Sequence, residues 1–210
     1  MAPPGIPLIG DPGQLIHRSP DGRLEIRRTI MSTFPAEAIV NATDYLMTIN
    51  TANVPDASFQ ITNAAGPDLL NHLKHNYPRG LRVGDALASP SYELTNCYRI
   101  IHVNGPNYRT RISRLVPLLK QQLADCYRRC LEEAFKLGVN SVAFPCISTG
   151  SILGWPRTEA ARIGVRTVRA WLRHPIHGVK RMGVIGRVSF LADPVGAQAH
   201  QEQAWCEAFR

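Results

Sequence analysis

The chain has 210 residues, of which 44% are hydrophobic and 19% are charged, and its formal net charge is +8. This composition is that of a globular protein, and the length allows one domain whose core is large enough to fold alone. No apolar run approaches the roughly 20 residues that would cross a membrane, and the Pro-rich N-terminus lacks the basic-then-apolar pattern of a secretory signal. We therefore expect no membrane association.

The first 20 residues are rich in proline and glycine, so we predict an irregular arm there and a single domain over residues 21–210. Hydrophobic patterning predicts the following elements in chain order: strands over residues 24–31 and 37–42, a loop over 45–58, a helix around 67–74, strands over 83–89 and 98–103, a helix over 113–136, a strand over 142–147, a helix over 156–172, a strand over 184–191 and a helix over 195–210. Strands that alternate with helices indicate an α/β fold, here a three-layer α/β/α sandwich with a central mixed sheet.

The five cysteines are an odd number and include no Cys-x-x-Cys pair. This usage fits free thiols in a reducing compartment, so we predict an intracellular protein, cytoplasmic or nuclear. Cys126 and Cys130 are four residues apart and would share a helix face, but no histidine lies at ligand spacing near them. We therefore predict neither a metal ion nor another cofactor.

The most informative stretch is residues 140–156, which read NSVAFPCISTGSILGWP. An apolar strand ends there at small and hydroxyl-bearing residues, and a helix-like segment opens after Pro156. A turn of this kind gathers backbone N–H groups and hydroxyls into a concave nest that suits phosphate oxygens, and a glycine allows close approach of the backbone. A plain strand-to-helix turn is the alternative interpretation. The predicted phosphate loop comprises Ser148, Thr149, Gly150, Ser151 and Ile152.

Two further strands end on polar groups upstream, at residues 38–44 (AIVNATD) and 100–106 (IIHVNGP). With AAGP at residues 64–67, Cys126-Tyr127, and AFPCISTG before Trp155-Pro156, these motifs follow the order seen in macrodomains, a family of ADP-ribose-binding modules. The chain resembles that family over roughly residues 24–192. The resemblance implies ADP-ribose or an ADP-ribosylated protein as the ligand, with its diphosphate on the predicted phosphate loop.

The motif after the second predicted strand departs from the family pattern at its last position. Family members carry a second Asn there, which contacts the distal ribose, whereas this chain has Asp44. A carboxylate accepts hydrogen bonds from ribose hydroxyls but cannot donate as an amide does, and it can act as a general base on water. Asn41 and Ala42 open the same motif and are predicted at the ligand site, where Asn41 either holds the loop or contacts the ligand.

The next segment departs further. Hydrolases of the MacroD type follow this motif with a glycine-rich loop and a catalytic Asp, but residues 47–56 contain no glycine. Asp56 is the candidate for the catalytic carboxylate, although its spacing differs, and a solvated loop carboxylate is the alternative. Asn50 and Asn53 tolerate left-handed φ angles and are predicted to replace the glycines in part at the ligand.

Family members often read the adenine amino group with an early Asp, but the matching place here falls at Thr29 or Ile30. We therefore predict that adenine is held by backbone contacts and by stacking on Phe190. Trp155 is predicted to be a core anchor. His102 lies in an apolar strand and is predicted to be buried and hydrogen-bonded.

Three functions stay open at this point. The first is an ADP-ribosylhydrolase, and the second is a reader of ADP-ribose or poly(ADP-ribose) without turnover, so the sequence does not decide whether the chain is an enzyme. The third is a diverged basic scaffold that binds RNA or poly(ADP-ribose), with Tyr108-Arg109-Thr110-Arg111 and Arg114 as the candidate surface. The basic charge favours nucleic acid or poly(ADP-ribose) as a partner, and improved solubility is the alternative.

Overall fold

The computed structural model describes residues 7–48, 56–110, 112–194 and 200–210. Within these residues a single sheet of seven strands has the order β1-β2-β7-β6-β3-β5-β4. The strands are β1 (Gln14–Arg18), β2 (Leu24–Arg28), β3 (Ala38–Thr43), β4 (Ala86–Pro90), β5 (Arg99–Asn104), β6 (Ser141–Phe144) and β7 (Arg187–Ala192). The five inner strands pair in parallel, and β1 and β4 pair antiparallel at the two edges, so the predicted mixed sheet is confirmed.

Helices cover both faces of the sheet. They are α1 (Ala57–Ala65), α2 (Pro67–Asn76), α3 (Val116–Leu137), α4 (Arg157–Leu172), α5 (Gly178–Val184) and α6 (Gln201–Phe209). Alternate residues of β3 enter different cores: Val40 packs with residues of α3, α4 and α6, whereas Ile39 packs with residues of α1 and α2. Because side chains of a strand alternate between its two faces, one sheet separates two cores, and the predicted α/β/α sandwich is confirmed.

Several boundaries differ from the prediction for local reasons. β1 lies inside the segment predicted to be an irregular arm, where its backbone pairs with β2 and Ile16 packs against the core. β6 ends at Phe144 because Pro145 has no N–H for the ladder. The helices α1 and α5 were not predicted, and α5 has glycine at both Gly178 and Gly183, which obscures a helical pattern.

Among the described residues, no helix combines the length and the hydrophobicity that crossing a membrane requires. The same residues contain no group of three or more His, Cys, Asp or Glu side chains placed to hold a metal ion.

Candidate functional site

Four neighbouring parallel strands end at one edge of the sheet. The register pairs Thr43 of β3 with Asn104 of β5, and Phe144 of β6 with Phe190 of β7, so these strand ends lie side by side. In α/β sheets, ligands bind in the crevice outside the carboxyl ends of the strands. The segments that follow β3, β5, β6 and β7 therefore define the candidate site.

The loop after β6, residues 145–156, is closed by its own backbone. The hydroxyl of Thr149 donates to the carbonyl of Cys146 at 2.8 Å. The N–H of Gly154 donates to the carbonyl of Gly150 at 2.9 Å, and the N–H of Trp155 donates to the carbonyl of Ser148 at 3.1 Å. Ser148 has a φ of 67°, which is unusual for a residue with a side chain. This closed turn holds residues 148–152 at the strand edge.

Side chains from the segment after β5 anchor the loop. The indole N–H of Trp155 donates to the carbonyl of Pro106 at 2.9 Å, and the Trp155 ring lies 4.5 Å from that of Tyr108. The Nε of Arg109 donates to the carbonyl of Ser151 at 2.8 Å. Trp155 is only 3% exposed, so its predicted role as a core anchor is confirmed. These contacts fix the loop from outside as well as from within.

The open side of the loop presents unused donors. Within the described residues, no hydrogen bond uses the backbone N–H groups of Gly150, Ser151 or Ile152. A Cβ built on Gly150 meets no atom within 4 Å, so the space beside it is free. The Ser148 hydroxyl is buried without a partner and lies where a Cβ on Gly105 would stand. The loop thus combines N–H donors that have no partner among the described residues with free space beside Gly150, which suits an anion.

Helix α6 adds a residue to this site that the sequence did not reveal. Gln201 is 0% exposed, its Oε1 lies 3.5 Å from the Thr149 hydroxyl, and its Nε2 has no partner. No motif marked Gln201, because its contact joins parts of the chain about fifty residues apart. Burial raises the pKa of the neighbouring Cys146 thiol to about 12, so this cysteine stays protonated and is a poor nucleophile.

Asn41 belongs to a buried network across three strands. Its Nδ2 lies 3.2 Å from Nδ1 of His102, and Nε2 of His102 lies 2.9 Å from the Ser89 hydroxyl. Because an amide nitrogen only donates, Nδ1 accepts and the His102 proton resides on Nε2. Burial lowers the pKa of His102 to about 3, so the ring is neutral near pH 7 and its prediction as a buried, hydrogen-bonded histidine is confirmed. Ala42, the next residue, is half-buried.

Asp44 directly follows β3 and is exposed, but both of its carboxylate oxygens are engaged. Oδ1 accepts from the backbone N–H of Thr48 at 3.0 Å, and Oδ2 accepts from the Thr48 hydroxyl at 2.7 Å. Asp44 therefore closes a local turn at the strand edge. Asn50 and Asn53, predicted at the ligand, lie outside the described residues, and their roles stay predictions.

Asp56 begins helix α1. Its side chain accepts from the backbone N–H of Phe59 at 2.8 Å, which is the hydrogen bond of an N-cap. The same carboxylate was predicted to be catalytic. Its catalytic role stays a prediction.

Phe190 does not reach the site. Its side chain is 0% exposed, and its ring lies 4.7 Å from that of Trp205 and 5.7 Å from that of Phe209. These α6 residues cover the face of β7 on which Phe190 lies, so its ring cannot stack on a ligand. The predicted adenine contact of Phe190 is thus corrected to a core position.

A different side chain occupies the end of β7. Asp193 is 7% exposed and accepts from Nε2 of Gln60 at 2.9 Å, while Oε1 of Gln60 has no partner. Thr29 donates its N–H to the carbonyl of Ala192, so Asp193 lies beside the place where the family's adenine-reading Asp was sought. A cavity of about 330 Å³ opens there, lined in part by Arg28, Asp193, His200 and Glu202. The only sequence signal that could have identified Asp193 as a site residue is its position directly after a buried strand.

The Macro domain family model matches residues 40–164. The chain belongs to this family. A Macro domain-containing protein of Ralstonia nicotianae is 39% identical over 150 residues, which cover 71% of this chain and 81% of that protein. Human ADP-ribose glycohydrolase MACROD2 is 33% identical over 167 residues, but these cover 80% of this chain and only 37% of the human protein. The Oceanobacillus iheyensis macrodomain with ADP has a TM-score of 0.73 and 25% identity, covering 92% of this chain and 93% of that one.

Proposed function

We propose that this macrodomain recognises ADP-ribose, either free or attached to a protein, through its diphosphate. The observation that carries the proposal is the loop after β6, where the N–H groups of Gly150, Ser151 and Ile152 have no partner among the described residues and the space beside the Gly150 Cα is free. The match of this loop to the family pattern and the likeness to a macrodomain with ADP support the same ligand.

The chemistry of the loop suits a diphosphate better than a neutral ligand. A diphosphate carries two negative charges, and neutral N–H donors at a strand-to-helix turn hold such groups without a salt bridge. The loop precedes α4, whose N-terminus begins at Arg157. The guanidinium of Arg109, held on the carbonyl of Ser151, adds one positive charge beside the loop.

The two ends of ADP-ribose would then lie on opposite sides of the loop. β7 and β3 are the two neighbours of β6 in the sheet. On the β7 side, Asp193 offers carboxylate oxygens at the rim of the cavity of about 330 Å³, and we propose that they accept from the adenine amino group. On the β3 side, Asp44 stands at the strand end, and we propose that the distal ribose lies next to it.

Hydrolysis of an ADP-ribose linkage is the second candidate. It is supported by the exposed carboxylate of Asp44 at the proposed ribose end and by the likeness to MACROD2. A general base must be oriented toward a water molecule, whereas the two hydrogen bonds from Thr48 hold the Asp44 carboxylate in its own turn. We therefore place recognition first and turnover second.

We also propose an intracellular protein, because all five cysteines are free and four of them are buried. Poly(ADP-ribose) is a proposed partner through the same loop, since it contains the same diphosphate unit. Nucleic acid is less well supported, because Arg109 of the candidate basic surface is held on the carbonyl of Ser151 in the loop.

The proposal is tested by isothermal titration of the chain with ADP-ribose and with AMP. We expect saturable heat for ADP-ribose. In Gly150→Glu the Kd for ADP-ribose should rise about a hundredfold, because the added carboxylate enters the diphosphate position. Gly183→Glu is the matched control: a Cβ there also meets no atom within 4 Å, but Gly183 lies in α5. Absence of binding at millimolar ADP-ribose, or equal loss in both variants, would refute the proposal.

A further inference from the structure

A groove with a volume of about 660 Å³ runs between α3 and α4, and none of its lining residues belongs to the strand ends. Its lining combines apolar and charged side chains. The apolar part includes Pro117 and Ala124 of α3 and Ile163 of α4. The charged part comes from Lys120 of α3 and from Glu159, Arg162 and Arg166 of α4.

The charges of the groove are unequally satisfied. Lys120 and Glu159 form an ion pair at 2.7 Å, which joins the two helices at one end of the groove. Arg162 and Arg166 are exposed, and among the described residues neither has a hydrogen-bond or ion-pair partner. Two unpaired cations beside an apolar surface favour an anionic partner that also carries apolar atoms.

The spacing of the two arginines matches alternate residues of an extended chain. They are four residues apart on α4, so their Cβ atoms are about 6 Å apart on one face of the helix. In an extended peptide, side chains two residues apart share a face and lie about 6.7 Å from each other. The groove spans α4 from Glu159 to Ala170, roughly 16 Å of helix, which about five extended residues would fill.

We propose that this groove binds an extended acidic segment of a protein partner, with carboxylates at alternating positions on Arg162 and Arg166. A single-stranded nucleic acid fits the groove less well, because proteins hold its bases on aromatic rings and no aromatic residue is among the described residues that line this groove. A second copy of the chain also fits less well, because each copy has a net charge of +8.

The groove lies close to the proposed ligand site along the chain. Helix α4 begins at Arg157, directly after the loop of residues 145–156, and Glu159 at the near end of the groove is in its first turn. A segment seated there would place a neighbouring residue of the partner next to the loop. That the partner is the ADP-ribosylated protein rests on the proposed function, whereas binding of the acidic segment itself does not.

The test is fluorescence anisotropy of a labelled short peptide in which Glu and Thr alternate, titrated with the full chain. We expect the Kd to rise about tenfold or more in Arg162→Glu/Arg166→Glu, because two ion pairs are lost and replaced by repulsion. Arg79→Glu/Arg82→Glu is the matched control, since both of these arginines are exposed and have no ion-pair partner among the described residues. Arg162→Gln/Arg166→Gln serves as a second variant if the charge reversal unfolds α4.

Two further arms decide the class of partner. A peptide of the same composition, in which pairs of Glu alternate with pairs of Thr, has no two Glu residues two positions apart. It is expected to bind more weakly, since only the alternating peptide matches the arginine spacing. The proposal would be overturned if the original chain does not bind the peptide, or if both double variants weaken binding equally. It would also be overturned if the two peptides bind with equal affinity, or if an oligouridine shorter than the peptide displaces it. ADP-ribose titration of the same variants is expected to be unchanged, which separates this proposal from the proposed function.

Discussion

The loop after β6 and the turn after β3 meet at the same edge of the sheet, but they differ in which polar groups remain free. In the loop, three N–H donors and the Ser148 hydroxyl have no partner among the described residues. In the turn, Asp44 uses both carboxylate oxygens on Thr48. The first segment is prepared for an anion, whereas the second satisfies its own charge.

The two segments also differ in what holds them. The loop is fixed by distant residues, including Pro106, which accepts from Trp155, and Tyr127, whose hydroxyl lies 3.2 Å from the N–H of Ile147. The turn is held by a contact between residues four apart in sequence. A locally closed turn can open and re-form at small cost, so we expect ligand affinity to depend mainly on the loop and any turnover to depend on the turn.

The largest effect on stability is expected from Gly105→Ala, which tests how rigidly the loop is held. The new methyl group would clash with the Ser148 Oγ and lie 3.0 Å from the Ile147 side chain. We expect a loss of about 1–3 kcal/mol in the free energy of unfolding and about tenfold weaker ADP-ribose binding, because the loop must shift. Chemical denaturation and calorimetry measure the two quantities.

The rescue variant is Gly105→Ala with Ser148→Gly. It removes the clashing hydroxyl and places glycine where φ is positive, so stability should return. Affinity should remain low if the Ser148 hydroxyl contacts the ligand. Unchanged stability in the single variant would show that the loop yields easily and would break the contrast with the turn.

A second prediction concerns the buried hydrogen bond between Asn41 and His102, in the strands that precede the turn and its neighbour. Unfolded His102 takes up a proton near pH 6.5, whereas the folded residue does so only near pH 3. The unfolded state therefore binds more protons between these values, and the free energy of unfolding falls as the pH is lowered, by up to about 1.4 kcal/mol per pH unit from this residue.

The measurement is denaturant unfolding from pH 6.5 to pH 5. In His102→Gln the decline should be shallower by that amount, whatever the absolute stability of the variant. His75→Gln, which removes an exposed histidine, should keep the original slope. If the free energy of unfolding changes equally with pH in the original chain and in His102→Gln, the His102 ring is hydrated. The turn after β3 then has no rigid buried network beneath it.

Asp56→Ala is expected to have a smaller effect. Loss of the N-cap of α1 should cost about 1 kcal/mol, or roughly 2–4 °C in Tm for a chain of this size. Asp56→Asn keeps a capping oxygen and should restore stability. If Asp56 is also catalytic, Asp56→Asn would be stable but lose turnover, which distinguishes a capping residue from a catalytic one.

The sequence predicted the layers of the fold and the position of the turn after β6 because both depend on local patterns. Apolar strands alternate with helical periods, and the STG turn follows a buried strand. Phe190 was misplaced because β7 is covered on both faces, so its apolar run does not indicate which side faces the ligand. Gln201 and Asp193 were missed because their positions depend on how α6 and β7 meet the other strand ends, which no local pattern encodes.

The bond between Asp44 and Thr48 could have been foreseen, because Asp and Thr side chains often bond backbone groups a few residues away. This bond changes how the replacement of the family's Asn by Asp44 affects the ligand site. An Asp facing a diphosphate repels it, but a carboxylate that accepts two hydrogen bonds from its own turn can stay at the rim of the site. Asp44 thus occurs together with Thr48, whose two hydrogen bonds reduce the effect of the added carboxylate on the site.

The smallest effect is expected from Asp44→Asn, which addresses this point directly. Removal of one exposed negative charge beside the proposed ribose and diphosphate should tighten ADP-ribose binding by about two- to fivefold at low salt, and the gain should shrink at high salt through screening. Asp68→Asn, which removes an exposed carboxylate in the first turn of α2, is the control. If Asp44 is instead the general base, Asp44→Asn would bind an ADP-ribosylated protein with equal or higher affinity. It would no longer release ADP-ribose from that protein. Weaker binding by Asp44→Asn, independent of salt, would mean that the carboxylate contacts the ribose directly and that the turn opens when the ligand enters.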